Sequence, residues 1–233
     1  MIRFRVVATD YDGTLAKDGR VDADTLEALA RVQASGRKVV LITGRELDSL
    51  RSVFPELDRF DLIVAENGAL LYDPSTGEEK PLVSAPPAVF VQRLQHFGVN
   101  PLSIGRAVVA TVTPYEVEVG KAIRELGLDL QVIFNRESVM ILPVGVDKGT
   151  GFQAAAAELR LPAASFVGIG DAENDFAFLR LCGLSVAVAN AIPSLKERVH
   201  TVTSAEDGAG VVEVLRKLLA NEDSFDMAHP RRQ

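Results

Sequence analysis

Two acidic residues come directly after an apolar run near the start of the chain. Asp10 and Asp12 follow residues 6–9 and are themselves followed by a Gly-Thr pair. Side chains two positions apart at the end of a strand point to the same side. Two carboxylates held so close raise each other's pKa, which indicates a cation between them or proton transfer by one of them. The competing interpretation is a polar strand end followed by a solvated turn, and this stretch alone does not decide between the two.

Further polar clusters follow other apolar runs of strand length. The sequence reads Thr-Gly-Arg at residues 43–45, Glu-Asn-Gly at residues 66–68 and Gly-Asp-Ala-Glu-Asn-Asp at residues 170–175, and Asp-Lys-Gly at residues 147–149 begins a helical pattern. Each has a simpler explanation alone: a helix N-terminus, a turn dipeptide, acids placed for a helix dipole or a solvated lysine. One common site explains why every cluster lies at the end of a predicted strand or at the start of the following helix.

The composition limits the kinds of site and partner that we expect. The 233 residues are 47% hydrophobic and 24% charged, as in a globular protein of one large or two unequal domains. Cys182 is the single cysteine and the three histidines are scattered, so a bound metal would be held by oxygen. The net charge of -7 disfavours nucleic acid or an anionic membrane as the main partner. With no apolar run approaching the roughly 20 residues of a membrane span and no signal-peptide pattern, we expect a cytoplasmic protein.

Strand and helix patterns alternate through the first part of the chain. Apolar runs predict strands at residues 2–8, 38–42 and 62–65, and Asp24 with Glu27 predicts a capping box for the helix between the first two. Alternating strands and helices predict an α/β fold with a doubly wound parallel sheet. Ligands of such sheets bind at the carboxyl ends of the strands, where the polar clusters lie.

The pattern changes after residue 68 and resumes after residue 143. A hairpin leaves the parallel pattern, and an inserted α+β module follows, which we expect to be a cap over the site. The predicted core spans residues 1–82 and 144–219, the cap spans residues 83–143, and a disordered tail spans residues 220–233. Within the cap we expect a helix at 87–97, a strand at 107–112, a helix at 115–126 and a strand pair at 130–134 and 139–142. The later core elements are a helix capped by Asp147, strands at 165–169, 184–189 and 201–203, and a final helix.

The order and separation of these motifs resemble a known enzyme family. Asp10-Tyr11-Asp12-Gly13-Thr14, Thr43-Gly44-Arg45, Lys148 and the cluster at residues 170–175 resemble the four motifs of the haloacid dehalogenase superfamily of phosphohydrolases, over about residues 1–219. The Glu-Asn-Gly cluster and the large insertion resemble its Cof-type (IIB) branch. The short cap is more similar to the reduced cap of archaeal-type phosphoglycolate phosphatases than to the longer cap of sugar-phosphate members.

The resemblance implies a phosphatase that forms an aspartyl-phosphate. Asp10 would attack phosphorus, and Asp12 would protonate the leaving alkoxide and then activate water. Mg²⁺ is the implied cofactor, with Asp10, the backbone carbonyl of Asp12, Asp171 and Asp175 as its ligands, the last directly or through water. The implied substrate-binding residues are Thr43, Gly44, Arg45, Asn67, Asn174 and Lys148, of which Lys148 would also hold Asp10 in place.

Three functions are open on this basis. The first is a Mg²⁺-dependent phosphatase of small phosphorylated metabolites, with phosphoglycolate or a sugar phosphate as substrate. The second is a phosphomutase of sugar phosphates. The third is a phospho-accepting module like a receiver domain, against which the cap and Asp12 argue because a long-lived phosphoaspartate needs neither a lid nor a nearby base. Specificity is expected from the cap, at residues 104–106 or 135–138, and the oligomeric state is not predicted.

Overall fold

The computed structural model describes residues 3–135 and 137–220. Its strands are β1 (Val6–Thr9), β2 (Lys38–Ile42), β3 (Leu62–Ala65), β4 (Leu70–Asp73), β5 (Glu78–Pro81), β6 (Ser103–Ile104), β7 (Val109–Val112), β8 (Leu130–Asn135), β9 (Ser138–Pro143), β10 (Phe166–Gly170), β11 (Leu184–Ala187) and β12 (Thr201–Val202). Its α-helices are α1 (Ala23–Ala34), α2 (Leu47–Val53), α3 (Ala88–His96), α4 (Glu116–Leu126), α5 (Lys148–Glu158), α6 (Phe176–Leu179), α7 (Pro193–Lys196) and α8 (Asp207–Ala220).

An eight-stranded sheet is the scaffold of the site, and it confirms the predicted α/β fold. Its strand order is β12-β11-β10-β1-β2-β3-β4-β5, parallel from β12 to β3 and antiparallel for β4 and β5. The central strands are short, apolar and rich in β-branched residues because helices cover both faces of such a sheet. The hairpin of β4 and β5 leaves the parallel pattern as the sequence predicts.

The register brings the ends of three strands together. Thr9 of β1 lies beside Leu41 of β2 on one side and Ile169 of β10 on the other. The residues that follow these strands therefore emerge at one edge of the sheet, which is where polar clusters of a doubly wound fold can meet. Helix α5 packs against β2, β3 and β4 and brings its first residue, Lys148, to the same edge.

A four-stranded antiparallel sheet forms the inserted module. Its order is β6-β7-β9-β8, and α3 and α4 pack on it around Phe90, Leu94, Val119 and Ile141. The predicted succession of helix, strand, helix and strand pair is found in the module. Strand β6 was not predicted, because two residues are too few to carry an alternating pattern. The boundaries of core and cap at residues 83 and 143 stay a prediction.

The ends of the helices agree only in part with the sequence analysis. Asp147 caps α5 as predicted, with its carboxylate accepting from the N–H of Thr150. The prediction of a capping box at Asp24 and Glu27 is wrong: Asp22 is the N-cap of α1, and Asp24 lies in the first turn. Two acids two residues apart present the same local signal, and the extended backbone that a cap requires is found only at Asp22.

Other differences concern the first strand and the end of the chain. The first strand begins at Val6 rather than at residue 2, which lies outside the described residues. Ala220 ends α8, and the rest of the segment predicted as a disordered tail, residues 221–233, is outside them as well. Over residues 3–135 and 137–220, no helix is long and apolar enough to cross a bilayer.

Gly151 allows α5 to lie directly on the turn at residues 66–68. A Cβ at Gly151 would stand 2.4 Å from Val64 Cγ1 and 2.6 Å from the Cα of Gly68. Because neither the strand nor the turn has room to move, Gly151→Ala is expected to destabilise the protein by about 2–3 kcal/mol. The control is Gly120→Ala in α4, where the nearest atom is the flexible guanidinium of Arg124 at 3.3 Å.

Gly120→Ala is expected to raise the free energy of unfolding by less than about 1 kcal/mol, because alanine favours the helix more than glycine does. Urea unfolding followed by circular dichroism measures both variants. Equal effects of the two substitutions would contradict the close approach of α5 to the turn.

Candidate active site

The ends of β1 and β10 and the start of α5 place charged side chains in one buried cluster. Asp10 follows β1, Asp171 and Asp175 follow β10, and Lys148 is the first residue of α5. All four side chains are buried, and Lys148 is only 1% exposed. Charged groups at this depth are rare unless they are paired or bind an ion.

Lys148 connects two of the aspartates. Its Nζ donates to Oδ1 of Asp10 and to Oδ1 of Asp175, both at 2.6 Å. Burial would lower the pKa of Lys148, but the negative charges of Asp10 and Asp175 outweigh this effect and raise it. The lysine is therefore a fixed positive charge beside Asp10.

Asp175 shapes the loop after β10. Its Oδ2 accepts from the N–H groups of Asp171 and Ala172, each at 2.9 Å, while its Oδ1 accepts from Lys148. Thr14 Oγ1 donates to Oδ1 of Asp171 at 3.0 Å and so ties the loop after β1 to the loop after β10. Both oxygens of Asp175 already have donors, which favours a role in orienting its neighbours over direct contact with a metal.

The donor set of this cluster fits a hard divalent cation. One carboxylate oxygen each from Asp10, Asp171 and Asp175 lies within 4.8 Å of the others. Three carboxylates face one ammonium group, so the cluster has an excess of negative charge. Burial raises the pKa of Asp10 well above its usual range, the charge of Lys148 opposes that rise, and Asp175 and Asp171 add to it. A cation bound by these oxygens would relieve this repulsion, and oxygen ligands are those that Mg²⁺ and Ca²⁺ prefer.

The carboxylate of Asp12 is not one of the clustered carboxylates and is bound by Arg45. Arg45 Nε donates to Asp12 Oδ2 at 2.6 Å, and Arg45 Nη2 donates to Asp12 Oδ1 at 2.7 Å. The guanidinium also lies over the ring of Tyr11, 5.6 Å from its centroid. A planar guanidinium held at two points fixes the carboxylate in position. This pair was not predicted from the sequence, from which Arg45 was expected to bind substrate and Asp12 to transfer protons and to give a metal its backbone carbonyl.

Thr43, Asn67 and Asn174 form a second polar group beside the aspartates. The N–H of Asn67 donates to the carbonyl of Thr43 at 3.0 Å, and Asn174 Nδ2 donates to Asn67 Oδ1 at 3.1 Å. Asn67 Nδ2 and Asn174 Oδ1 are buried and have no hydrogen-bond partner. A buried polar atom left unpaired costs about 1–3 kcal/mol, so two at one place are a sign of a ligand that pairs with them.

The turn at residues 66–68 has an unusual backbone. Glu66 and Asn67 both have φ of 54°, and Gly68 has φ of 103°. Non-glycine residues in this region carry roughly 1–3 kcal/mol of strain each, which the surrounding structure must hold. The Asn-Gly pair predicts a turn here, but nothing in the sequence gives a reason for Glu66, whose buried side chain points to the inserted module.

A cavity of about 380 Å³ lies between the main sheet and the inserted module. Asp12, Gly44 and Arg45 line it from the core, and Ser103 and Thr111 line it from the module. Of the segments expected to set specificity, Ser138 lines the cavity. Arg106 instead bonds to Asp48 and Glu79 of the core, and Arg136 is outside the described residues.

The chain is similar to members of one known enzyme family. A family model described as haloacid dehalogenase-like hydrolase matches residues 7–85 and 117–215. A phosphoglycolate phosphatase of Archaeoglobus fulgidus is 30% identical over 94% of this chain and 98% of its own length. Phosphoglycolate phosphatase 2 of Saccharolobus solfataricus is 32% identical over 92% of each chain.

Solved structures of low sequence identity have the same fold. A haloacid dehalogenase-like hydrolase from Bacteroides thetaiotaomicron superposes with a TM-score of 0.77 at 18% identity, covering 92% of this chain and 99% of its own. A structure from Thermoplasma acidophilum gives a TM-score of 0.78 at 18% identity, with 93% and 98% covered. The resemblance noted in the sequence is thus confirmed: the chain belongs to the haloacid dehalogenase-like hydrolase family.

Proposed function

We propose that this enzyme hydrolyses small phosphate monoesters with Mg²⁺ as cofactor, through an aspartyl-phosphate on Asp10. That it is a phosphatase follows from its family and from its curated relatives. The observation that carries the finer proposal is the contact of Lys148 with both Asp10 and Asp175, at 2.6 Å each, inside a buried group of three carboxylates. A fixed lysine and a cation-binding carboxylate group supply the positive charge that a phosphate dianion requires.

Asp10 is the proposed nucleophile. Its Oδ1 is held by Lys148, which leaves Oδ2 for attack on phosphorus in line with the leaving oxygen. The bond from phosphorus to that oxygen breaks as the bond to Asp10 forms, and water later cleaves the aspartyl-phosphate to give inorganic phosphate. Thr43, the N–H of Gly44, Lys148 and the unpaired amide of Asn67 are the proposed donors to the transferring phosphoryl group.

Asp12 is the proposed acid and base. Its carboxylate lies in the wall of the cavity, where the leaving group of a bound ester would stand. In the first step Asp12 acts in its protonated form, with one oxygen released from Arg45, and becomes a carboxylate when its proton passes to the departing oxygen. In the second step this carboxylate takes a proton from the attacking water and is protonated again. Arg45 holds this carboxylate at both oxygens and thereby orients it, which is the role we propose for Arg45 in place of direct phosphate binding.

Mg²⁺ would be held by Asp10, Asp171 and the backbone carbonyl of Asp12, with Asp175 orienting the ligands. When bound, it neutralises charge on the phosphoryl oxygens and on the nucleophile. The acids on this chain would otherwise repel the substrate, so we expect activity to depend on the cation.

The proposed leaving group is small and polar. The wall of the cavity carries the hydroxyl groups of Ser103, Thr111 and Ser138 and the carboxylate of Glu46. These groups suit the hydroxyls of a short phosphorylated acid or sugar. Phosphoglycolate, the substrate in the names of the relatives, and sugar phosphates are therefore the first candidates.

Metal removal and a substrate panel test this proposal together. With Mg²⁺ present, we expect phosphate release from phosphoglycolate or from one or more of a set of sugar phosphates. We expect the rate of release to fall at least about a hundredfold with excess EDTA. Asp171→Asn is expected to raise the Mg²⁺ concentration for half-maximal activity about tenfold or more. The control is Asp58→Asn, at an exposed acid away from the cluster, which should leave the Mg²⁺ concentration for half-maximal activity unchanged.

Full activity in EDTA would contradict the cation requirement. Conversion of a sugar monophosphate to its isomer in the presence of a trace of the corresponding bisphosphate, without net release of inorganic phosphate, would indicate a phosphomutase instead.

A further inference from the structure

Glu66 joins the two sheets through a buried carboxylate. Its Oε1 accepts from the N–H of Arg106 at 2.8 Å, and its Oε2 accepts from the N–H groups of Ala107 at 2.7 Å and Val108 at 3.0 Å. The residue itself is 0% exposed and follows directly after β3. Burial raises the pKa of the Glu66 carboxyl, and the three N–H donors at residues 106–108 oppose that rise only in part.

Glu66 is closely packed against Gly105 of the module and hydrogen-bonded to Arg45 of the core. A Cβ at Gly105 would lie 2.6 Å from Glu66 Oε1, so that position has room only for glycine. The backbone N–H of Glu66 donates to the carbonyl of Arg45 at 2.9 Å. Glu66 therefore connects the loop that holds Asp12 to the segment 106–108 of the inserted module.

The segment that Glu66 holds leads into the wall of the cavity. β7 begins at Val109, the residue after Val108, and Ala110 and Thr111 within it line the cavity opposite Asp12. Ala107 and Val108 also pack with Ala69 and Met140 in an apolar cluster between the sheets. A shift of residues 106–108 would therefore move the wall relative to the reacting groups.

Other polar contacts between module and core are more exposed. Ser103 Oγ donates to Glu46 Oε2 at 2.8 Å, and Arg106 Nε donates to Glu79 Oε2 at 2.8 Å, with Asp48 as a further partner of Arg106. Exposed ion pairs are screened by water and salt and fix a geometry only weakly. The buried contact of Glu66 is thus better suited than these exposed contacts to define the distance between the module and the core.

We propose that Glu66 is a positioning residue for recognition of the leaving group. By holding the N–H groups of residues 106–108, it sets where the β7 wall stands relative to Asp12 and the phosphoryl site. The inference rests on the proposed phosphatase function for its substrate, but the contact itself is a property of the fold.

Glu66→Gln in the full-length protein tests this role. Glutamine keeps the size of the side chain but presents an NH₂ donor to N–H donors, so at least one of the three hydrogen bonds is lost. KM for the best metabolite of the panel is expected to rise about tenfold or more, with kcat changed less than about threefold. With p-nitrophenyl phosphate, whose aromatic leaving group lacks the hydroxyl and carboxylate groups of such metabolites, kcat/KM is expected to change less than about threefold.

Glu79→Gln is the matched control, because it removes a carboxylate from the half-buried contact with Arg106 and should leave the ratio between the two substrates unchanged. An equal loss with both substrates in Glu66→Gln, or a rise in KM below about threefold for the metabolite, would overturn the proposal.

Hydrogen exchange gives a readout that does not need activity. The peptide containing residues 106–108 is expected to exchange about tenfold faster in Glu66→Gln than in the wild type, and not in Glu79→Gln. If Glu66→Gln does not fold, Gly105→Ala, which pushes a methyl group at the same carboxylate, replaces it in both measurements. Unchanged exchange would overturn the positioning role, whereas a wild type inactive on every phosphate ester would overturn the proposed function alone.

Discussion

Asp10→Asn is expected to lower kcat for every phosphate monoester by about 10⁴-fold or more. The amide of asparagine is a poor nucleophile and cannot carry the covalent phosphoryl group. The fold should persist, because the substitution removes a negative charge from a group in which three carboxylates face one lysine. Phosphate release and a thermal melt measure both effects. Asp58→Asn, an exposed acid of the same type, is the control and should turn over at the wild-type rate.

A residual rate near that of the wild type in Asp10→Asn would assign the nucleophile to another group. The first residue to test would then be Asp171, whose carboxylate is buried in the same cluster.

Asp12→Asn is expected to lower kcat for alkyl phosphates by about 10²- to 10⁴-fold, the range of a lost general acid and base. With p-nitrophenyl phosphate the leaving group departs without a proton, so the first step stays fast while hydrolysis of the aspartyl-phosphate becomes slow. Stopped-flow absorbance should then show a burst of nitrophenolate equal to the enzyme concentration, followed by slow turnover.

Absence of the burst at a wild-type steady rate would exclude Asp12 from proton transfer in the second step, and a wild-type kcat for alkyl phosphates would exclude it from the first. Loss of the burst together with turnover would place Asp12 in the first step for every leaving group, and the roles of Asp10 and Asp12 would have to be assigned anew.

The sequence predicts the meeting of the main charged groups because their positions follow from the topology. Asp10 and Asp171 each follow a buried parallel strand, and strands of one parallel sheet end at one edge. A crossover helix runs antiparallel to the strands of its sheet, so its first residue, here Lys148, lies at the carboxyl edge. Helix α5 follows this rule although the inserted module precedes it, and Gly149 and Gly151 allow its close packing.

Contacts between side chains that are far apart in the sequence could not be predicted from it. The pairing of Asp12 with Arg45 joins residues 33 positions apart and depends on the rotamers of both. The contact of Glu66 with residues 106–108 depends on a left-handed backbone at a non-glycine residue, which the sequence gives no reason to expect. Periodicity reports which face of an element is buried, but it does not report which side chain on that face meets which partner.

The covalent intermediate is the central claim, and trapping it is the most direct test. Asp12→Asn enzyme mixed with p-nitrophenyl phosphate and Mg²⁺ is quenched in acid, digested and mapped by mass spectrometry. We expect one phosphoryl group per chain on the peptide that contains Asp10, and none when Asp10 is also replaced by asparagine. A phosphoryl group on another residue, or release of phosphate with no phosphorylated peptide at any time during the burst, would contradict the account.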